Sequence, residues 1–210
     1  FTAMRQHPAI PVYDADGRFT SPLELAASDI ANPVQQITNG KDNTNTSWRI
    51  FGNAFLEVNP WLKGLYIKTN IGIEHVQYNN QSLNRKINAS DVNSYSKNYG
   101  EGDTWTWTNT IAYNNQFGDH RVSALFGTEA ISYTFNSIGG ARQNYAFEDN
   151  HYMTLGAGDM ATATNGGDIQ QWRLFSIFAK ADYNYHDRYL VSATIRRDAT
   201  SRLAKKNNSG

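Results

Sequence analysis

The sequence contains no cysteine, so it has neither a disulfide framework nor a site in which thiolates hold a metal. It also lacks any run of about 18 apolar residues, and its mean hydropathy of -0.61 is low, which excludes a transmembrane helix. A transmembrane β-barrel stays open, because barrel strands alternate apolar residues with polar ones. No charge is in excess, with 19 basic and 19 acidic residues. This balance gives no electrostatic footprint for nucleic acid, so no nucleic-acid partner is expected.

Aromatic residues and asparagine are what the chain has in quantity: 12 Tyr, 10 Phe, 5 Trp and 23 Asn. This composition suits strands with aromatic ends joined by polar loops, and it suits helices poorly, because Asn, Gly and β-branched residues are weak helix formers. The chain begins at Phe1 without an initiator methionine or a signal-peptide pattern, and residues 205–210 have the character of an unfinished loop. We therefore expect the sequence to be a piece of a longer protein.

Apolar and polar residues alternate with period two along six segments, which predicts an all-β fold of about six antiparallel, up-and-down strands. In the first segment, Trp48, Ile50 and Leu56 alternate with Arg49 and Glu57. The predicted strands cover residues 47–59, 63–77, 104–116, 120–135, 171–184 and 188–199.

The connections between these strands alternate in length. Short turns are predicted near residues 60, 116 and 186, and long polar loops at 78–103 and 136–169. Residues 1–46 are rich in turn formers and are predicted to be an extracellular loop region, with at most a short helical piece around residues 23–27. The barrel segment would then occupy residues 47–200, and residues 201–210 would start the next extracellular loop.

Sorting of loops by length is typical of outer-membrane barrels, which have tight periplasmic turns and long outer loops. A soluble sandwich has no reason to sort its loops, because both of its ends face water. The predicted strands also exceed the roughly 9 to 11 residues that cross a bilayer at a tilt. A soluble or secreted β-sandwich, such as a carbohydrate-binding module or adhesin domain, remains the alternative. It differs in that the apolar strand faces would be covered by a second sheet.

Four segments resemble the SusC/RagA-type TonB-dependent transporters of Bacteroidetes-like bacteria. The most specific is residues 184–202, NYHDRYLVSATIRRDATSR, which resembles a turn and following strand typical of that family. Residues 7–19 (HPAIPVYDADGRF), 64–74 (GLYIKTNIGIE) and 117–130 (FGDHRVSALFGTEA) follow the family's order. Ala199 and Leu203 depart from its usual Gly and Phe, which affects a loop entrance only.

The resemblance implies part of the wall of a large transmembrane β-barrel, of the plugged kind with about 22 strands. Neither the plug domain nor the TonB-contacting segment is visible in this sequence. It further implies a bacterial outer-membrane location, contact with outer-membrane lipid, coupling to TonB and work with a SusD-like surface lipoprotein. The cargo would be an oligosaccharide, a peptide or a similar oligomer, and the protein would be an importer that is no enzyme and needs no cofactor.

Charged residues on the polar strand faces are predicted to line the lumen of such a barrel. They carry both signs, so they can satisfy one another. The set is Arg49, Glu57, Lys68, Glu74, Arg121, Glu129, Lys180, Asp182, Arg196 and Asp198.

Aromatic residues in the long loops are the second candidate set, since they could stack on sugar rings or pack against a lid protein. They are Tyr95, Tyr99, Tyr145, Phe147 and Tyr152. The five histidines are scattered without metal-ligand spacing, so no metal site and no catalytic residue is predicted. A hydrolase would need two carboxylates at a separation that a sequence cannot test.

Overall fold

A computed structural model describes residues 9–20, 31–87 and 90–203. Within these ranges the chain forms one helix, six strands and a short 3₁₀ helix at Met160–Thr162. The helix is α1 (Pro33–Gly40), and the strands are β1 (Thr44–Val58), β2 (Leu65–Asn84), β3 (Ser94–Phe117), β4 (His120–Gln143), β5 (Thr164–Tyr185) and β6 (Tyr189–Thr200). The strands form a single open sheet in the order β1-β2-β3-β4-β5-β6, so each strand pairs with its neighbour in sequence. This confirms the predicted all-β, antiparallel, up-and-down fold.

Four strands extend further than the sequence predicts, each at the end that meets a long connection. β2 runs to Asn84 and β4 to Gln143, whereas the predicted ends are 77 and 135. β3 begins at Ser94 and β5 at Thr164, whereas the predicted starts are 104 and 171. The prediction of loops over 78–103 and 136–169 is therefore wrong for much of both ranges. The added segments are mostly polar, with isolated apolar residues such as Leu83 and Tyr95, so they show no regular alternation. The backbone hydrogen bonds of the sheet nevertheless continue through them.

Helix α1 lies in the region predicted as loop, which is a second correction. Asn32 caps it, because its side-chain oxygen accepts hydrogen bonds from the backbone N–H groups of Val34 and Gln35. Pro33 follows at the first helical position, where its missing N–H costs nothing. The Asn-Pro pair thus starts a helix within the range predicted as loop. The helical piece expected around residues 23–27 lies outside the described residues.

The short turns are tight and rely on residues in left-handed backbone conformations. Gly118 between β3 and β4 has φ +60°, and His186 and Asp187 between β5 and β6 have φ +54° and +57°. The Asn184 and Asp187 side chains brace the second turn, since Asn184 Oδ1 accepts from the Asp187 backbone N–H at 2.9 Å and Asn184 Nδ2 donates to Asp187 Oδ1 at 2.6 Å. Tyr185 is then opposite Tyr189, and the β5–β6 register continues to Leu174 opposite Thr200.

The chain divides into two compact units. One, which we call the loop unit, consists of Phe1–Ser47, Tyr78–Gly100 and Ser137–Gly167. The other, which we call the strand unit, consists of Trp48–Gln77, Glu101–Asn136 and Asp168–Gly210.

The loop unit has a small apolar core. Leu83 and Met153 are each 1% exposed, and Tyr95 and Tyr145 belong to the same cluster. The two tyrosine rings meet edge to face at a centroid distance of 6.4 Å. Leu155 packs against this cluster. It is the only cluster of buried hydrophobic residues in the described parts of the chain.

The strand unit leaves its large apolar side chains exposed. Ile71 is 48% exposed, Ile111 48% and Val191 64%. On β2 and β6 most charged residues lie at the alternate positions. No second sheet covers these apolar faces within the described residues. The arrangement does not favour the sandwich alternative. None of the helices described is long and apolar enough to span a membrane.

Candidate functional site

The ten charged residues predicted to line a lumen are all engaged in ion pairs within the strand unit. Two of the six pairs join the adjacent strands β1 and β2. Two others lie within a single strand, and the remaining two reach from β4 to β6 and from β4 to the β5–β6 turn. The pairs are Arg49–Glu74 (2.6 Å), Lys68–Glu57 (3.9 Å), Arg121–Asp187 (3.6 Å), Lys180–Asp182 (3.0 Å), Arg196–Glu129 (3.0 Å) and Arg196–Asp198 (2.8 Å). With both signs paired, these side chains form an ionic layer without a large excess of either charge.

Arg196 is the centre of that layer. Its guanidinium also donates to the Ser176 hydroxyl at 3.0 Å, and Ser176 is fully buried. The same guanidinium lies 5.6 Å from the centroid of the Phe178 ring. That ring lies flat on Gly127, where a Cβ would be only 2.3 Å from Phe178 Cζ. Gly127, Phe178 and Arg196 therefore stack across three strands, and a larger residue at 127 would displace the arginine.

Polar groups on the apolar side of the strand unit are satisfied locally. The Trp107 indole N–H donates to Thr69 Oγ1 at 2.9 Å, within the same face. Small residues, among them Ala124, Ala179 and Ala193, form the bottom of an apolar trough of about 510 Å³ on this face. The face is thus suited to a hydrocarbon surrounding and carries no candidate chemistry.

The five loop aromatics do not form one surface. Tyr95 and Tyr145 are 5% and 6% exposed and belong to the core of the loop unit, so neither has a free ring face for a ligand. Burial raises the pKa of both phenols above its ordinary value. Tyr99 is half-buried and lines a groove with Lys97. Contact with a ligand through Tyr95 or Tyr145 is therefore corrected to a structural role.

Phe147 and Tyr152 form an exposed aromatic pair in the loop unit. Their ring centroids are 5.6 Å apart, and they are 67% and 62% exposed. Asp149, between them in sequence, accepts hydrogen bonds from the backbone and the ring of His151, both at 2.9 Å, and these hold the pKa of its carboxyl below the ordinary range.

A cluster of buried polar residues holds this aromatic pair in place. Asn93, 1% exposed, accepts from the Tyr145 backbone N–H at 2.6 Å and donates both to the Tyr145 carbonyl and to Glu148. Arg85 donates to the Glu148 carbonyl at 2.8 Å and pairs with Asp42. The cluster joins the segment around Glu148 to the ends of β2 and β3, and so fixes the loop that carries Phe147.

Each described histidine has a local hydrogen-bond partner, and His120 and His186 both contact the ring of Tyr185. His75 pairs with Asp103 at 2.7 Å, His186 with Asp119 at 2.9 Å, and His120 hydrogen-bonds the Tyr183 hydroxyl at 2.7 Å. His7 lies outside the described residues. Within the described ranges, no group of three His, Cys, Asp or Glu side chains is placed to hold a metal ion.

Sequence reasoning missed a groove in the loop unit. It has a volume of about 690 Å³ and is lined by amide and hydroxyl side chains from β1 to β5, with the Tyr78 ring and several glycines. No catalytic or metal spacing marks these residues, because uncharged Asn and Ser also abound in ordinary loops. The available signal was the polar composition of residues 78–84 of β2 and 94–103 of β3, but a polar composition also predicts loop.

The chain is similar to part of several TonB-dependent receptors. No model of a known protein family matches it. It is 26% identical over 216 residues to TonB-dependent receptor P3 of Formosa agariphila, covering 98% of this chain and 20% of that receptor. It is 24% identical over 213 residues to TonB-dependent receptor P26 of the same organism, covering 95% and 21%. The chain thus spans about a fifth of the length of the curated relatives it matches.

Solved structures match the fold. The chain superimposes with a TM-score of 0.79 on a chain in the structure of the RagAB peptide transporter, at 20% sequence identity and covering 95% of this chain and 23% of that one. The order and direction of the six strands are therefore those of a piece of a RagA-type barrel.

Proposed function

Since the homologues of this chain are TonB-dependent receptors over nearly its whole length, we propose that it forms six strands of the wall of an outer-membrane nutrient importer. The observation that carries the proposal is the inside-out distribution of side chains in the strand unit. Most of its aliphatic residues are exposed on one side, and the ten charged residues at alternate positions are paired with one another. Phe51 and Phe55 are exceptions, because they are exposed on the side of Arg49 and Glu57.

A hydrocarbon surrounding accounts for both sides of the strand unit. Apolar side chains such as Ile71 and Val191 would lie against lipid, and the ion-pair layer would face the polar interior of the barrel. Six strands leave two open edges, and unpaired backbone groups in hydrocarbon cost several kcal/mol each. The segment therefore needs the remaining strands of its barrel in order to be stable in a membrane.

No residue of the segment has to perform chemistry in this role. The ten paired charges would line the lumen and contact the plug, and Arg196 with its four neighbouring groups is the strongest candidate for such a contact. Opening would be driven by TonB, through a part of the protein outside this sequence. The proposal is thus a transporter segment and not an enzyme.

The loop unit would lie on the extracellular side and meet the SusD-like lipoprotein that we propose as a partner. Phe147 and Tyr152 are the residues that present apolar ring surface there, because Tyr95 and Tyr145 are buried. The cargo proposed is an oligosaccharide or peptide, in keeping with the similarity to TonB-dependent receptors and to a structure described as a peptide transporter.

Spin labels on the full-length protein in lipid vesicles test the orientation of the strand unit. Cysteines at Ile71 and Val191 would place labels on the apolar side, and cysteines at Asn70 and Thr194 provide matched controls on the opposite side of the same strands. We expect oxygen dissolved in the lipid to relax the first pair, and a water-soluble nickel complex to relax the second. Relaxation of the labels at 71 and 191 by the nickel complex would show that the proposed orientation is wrong.

A further inference from the structure

A second groove of the loop unit is lined by two cationic side chains. Lys97 on β3 and Arg142 on β4 contribute to its wall, and none of the described residues that line it is acidic. Its volume of about 580 Å³ falls within the range of about 300 to 1,000 Å³ that small-molecule sites occupy. We call it the cationic groove, since its charge distinguishes it from the groove around Tyr78.

Neither cation of this groove is paired with a carboxylate of the described residues. Lys97 is exposed and forms no ion pair with any of them. Arg142 donates to the backbone carbonyls of Gly156 and Gly158, both at 3.3 Å. These carbonyls fix the guanidinium in place without neutralising its charge. The groove therefore offers two positive charges to a ligand.

Carboxylates in the neighbourhood lie outside the lining of the cationic groove. Asp159 interacts electrostatically with Arg142. Its carboxylate, however, already accepts hydrogen bonds from the Ala161 N–H at 2.9 Å and from the Asn144 amide at 3.3 Å. Glu101, two positions after Tyr99 on β3, does not line the groove either. The charge of the groove is thus complementary to an anion.

Apolar side chains line the same groove. Ile138 is 66% exposed, and Leu155 lies over Gly140, where a Cβ would be 3.4 Å from Leu155 Cδ1. Tyr99 and Ala163 complete the apolar part of the lining. The lining therefore suits a ligand that carries both negative charge and hydrocarbon.

Strand alternation gives the side of β3 and β4 on which the two cations lie. Lys97 and Ile111 both occupy odd positions of β3, and Arg142 and Phe126 both occupy even positions of β4. Every second side chain of a strand is on the same side. In the proposed importer, the cations would therefore be on the lipid-facing side of their strands, near the ends where apolar positions have given way to polar ones.

We infer that the cationic groove binds the phosphorylated headgroup of an anionic lipid of the surrounding membrane. Basic side chains beside a membrane attract anionic headgroups, and phosphate oxygens accept charge-assisted hydrogen bonds from lysine and arginine. Ile138 and Leu155 would contact the hydrocarbon next to the headgroup. The inference goes beyond the proposed import function and rests on its membrane placement.

Native mass spectrometry of the full-length protein in detergent tests the inference. The probes are diphosphoryl lipid A (an acylated glucosamine disaccharide with two phosphates), its phosphate-free form, and inorganic phosphate. We expect the phosphorylated lipid to bind at least about tenfold more tightly than the phosphate-free form, as charged hydrogen bonds imply. Equal affinities of the two lipids would overturn the inference. Displacement of the lipid by an equal concentration of inorganic phosphate would assign the groove to a soluble anion and would overturn it as well.

Variants locate the site. Lys97→Gln and Arg142→Gln should each weaken the binding of the phosphorylated lipid by about fivefold, the loss expected for one basic residue beside a membrane. Lys41→Gln is the matched control, since Lys41 is an exposed lysine of the loop unit that does not line the groove. Unchanged affinity in both groove variants, or an equal loss in the control, would overturn the assignment.

Arg142→Gln removes the hydrogen bonds to Gly156 and Gly158, so its melting curve has to be compared with that of the unaltered protein. If it is destabilised, Lys97→Gln carries the test, because the exposed Lys97 side chain holds no other part of the described structure. A partner protein that copurifies less well with Lys97→Gln than with Lys41→Gln, at unchanged lipid binding, would assign the groove to that protein and overturn the inference.

The spin-label experiment separates this inference from the importer. Labels at 71 and 191 that face water, together with lipid binding that depends on Lys97, would refute the importer and keep the lipid site. Labels that face lipid, with binding that ignores both Lys97 and Arg142, would refute the lipid site and keep the importer.

Discussion

The loop unit and the strand unit handle apolar side chains in opposite ways. The loop unit buries Leu83 and Met153 and surrounds them with paired polar groups such as Asn93, as a water-soluble domain does. The strand unit exposes Ile71 and Val191 and pairs its charges with each other. The proposed outer-membrane location would account for this difference, because the side that must be apolar is set by what surrounds it.

The largest expected effect is in the loop unit, at Arg85. Its side chain is 13% exposed and pairs with Asp42, which is 22% exposed. Arg85→Met should leave that carboxylate without its partner and lower the local free energy of opening by about 4 kcal/mol. Hydrogen exchange of residues 39–42 and 144–148 in the full-length protein would measure the change.

Arg18→Met is the matched control for this substitution. Arg18 is 80% exposed and lies 4.0 Å from Asp16, so its loss should change stability by less than about 1 kcal/mol. Equal effects of the two variants would mean that the loop unit is not held by its buried polar cluster.

A slightly smaller effect is expected from emptying the core of the loop unit. Leu83→Ala removes a side chain that is 1% exposed and should cost about 3 kcal/mol through lost burial and a cavity. Ile37→Ala, at a position 75% exposed on α1, should cost little. Chemical denaturation followed by exchange in residues 78–100 would compare them, and a neutral Leu83→Ala would show that this core does not stabilise the unit.

In the strand unit the decisive substitution adds a charge to the apolar side. Ile71→Arg should cost about 2 kcal/mol when the protein is folded into a lipid bilayer. Its neighbour Asn70 is on the polar side, where Asn70→Arg should cost under about 1 kcal/mol. Folding titrations in vesicles would give both values. A greater cost for Asn70→Arg would show that lipid contacts the face of Asn70 and that the proposed orientation is wrong.

The smallest effect concerns pH and the 3₁₀ helix of the loop unit. The Ala161 backbone N–H and the Asn144 amide both donate to the Asp159 carboxylate, and they hold its pKa below the ordinary range. The charged form is therefore favoured in the folded state. Its stabilising contribution is present above about pH 4 and is lost as the pH falls through the lowered pKa.

Pepsin cleavage near Met160 should accordingly increase between about pH 4 and pH 2, after correction for the activity of the protease on an unfolded peptide. Asp159→Asn keeps a capping oxygen without titrating in this range, so its cleavage should not change with pH. A pH response that persists in Asp159→Asn would assign the opening to another group.

The strand unit was predictable from sequence, and the loop unit was not. Around Trp48, Ile71 and Val191 every second residue is apolar. Periodicity alone therefore predicts both the strand and the side of the sheet on which each residue lies. Residues 78–84 and 94–100 are mostly polar and contribute only single side chains such as Leu83 and Tyr95 to the core, so they show no regular alternation. Their strand conformation depends on pairing with neighbours far away in sequence.

The same limit applies to the candidate residues. The pattern of charges predicted which side chains would share a face, and the structure shows them paired. It did not show that Tyr95 and Tyr145 are buried, because an aromatic residue in a polar stretch can equally be core or surface. Asn80 gave no signal at all, since only coordinates reveal that its buried side-chain oxygen has no hydrogen-bond partner among the described residues.

The short turns of the strand unit are joined to the strands and turns beside them. The Asn114 N–H donates to the Gly64 carbonyl at 2.8 Å, and the His186 N–H donates to the Asp119 carbonyl at 3.0 Å. Gly64 has no room for a side chain, because a Cβ there would be 2.1 Å from the Asn114 oxygen. A peptide tag inserted at one of these turns would therefore disturb the next hairpin as well.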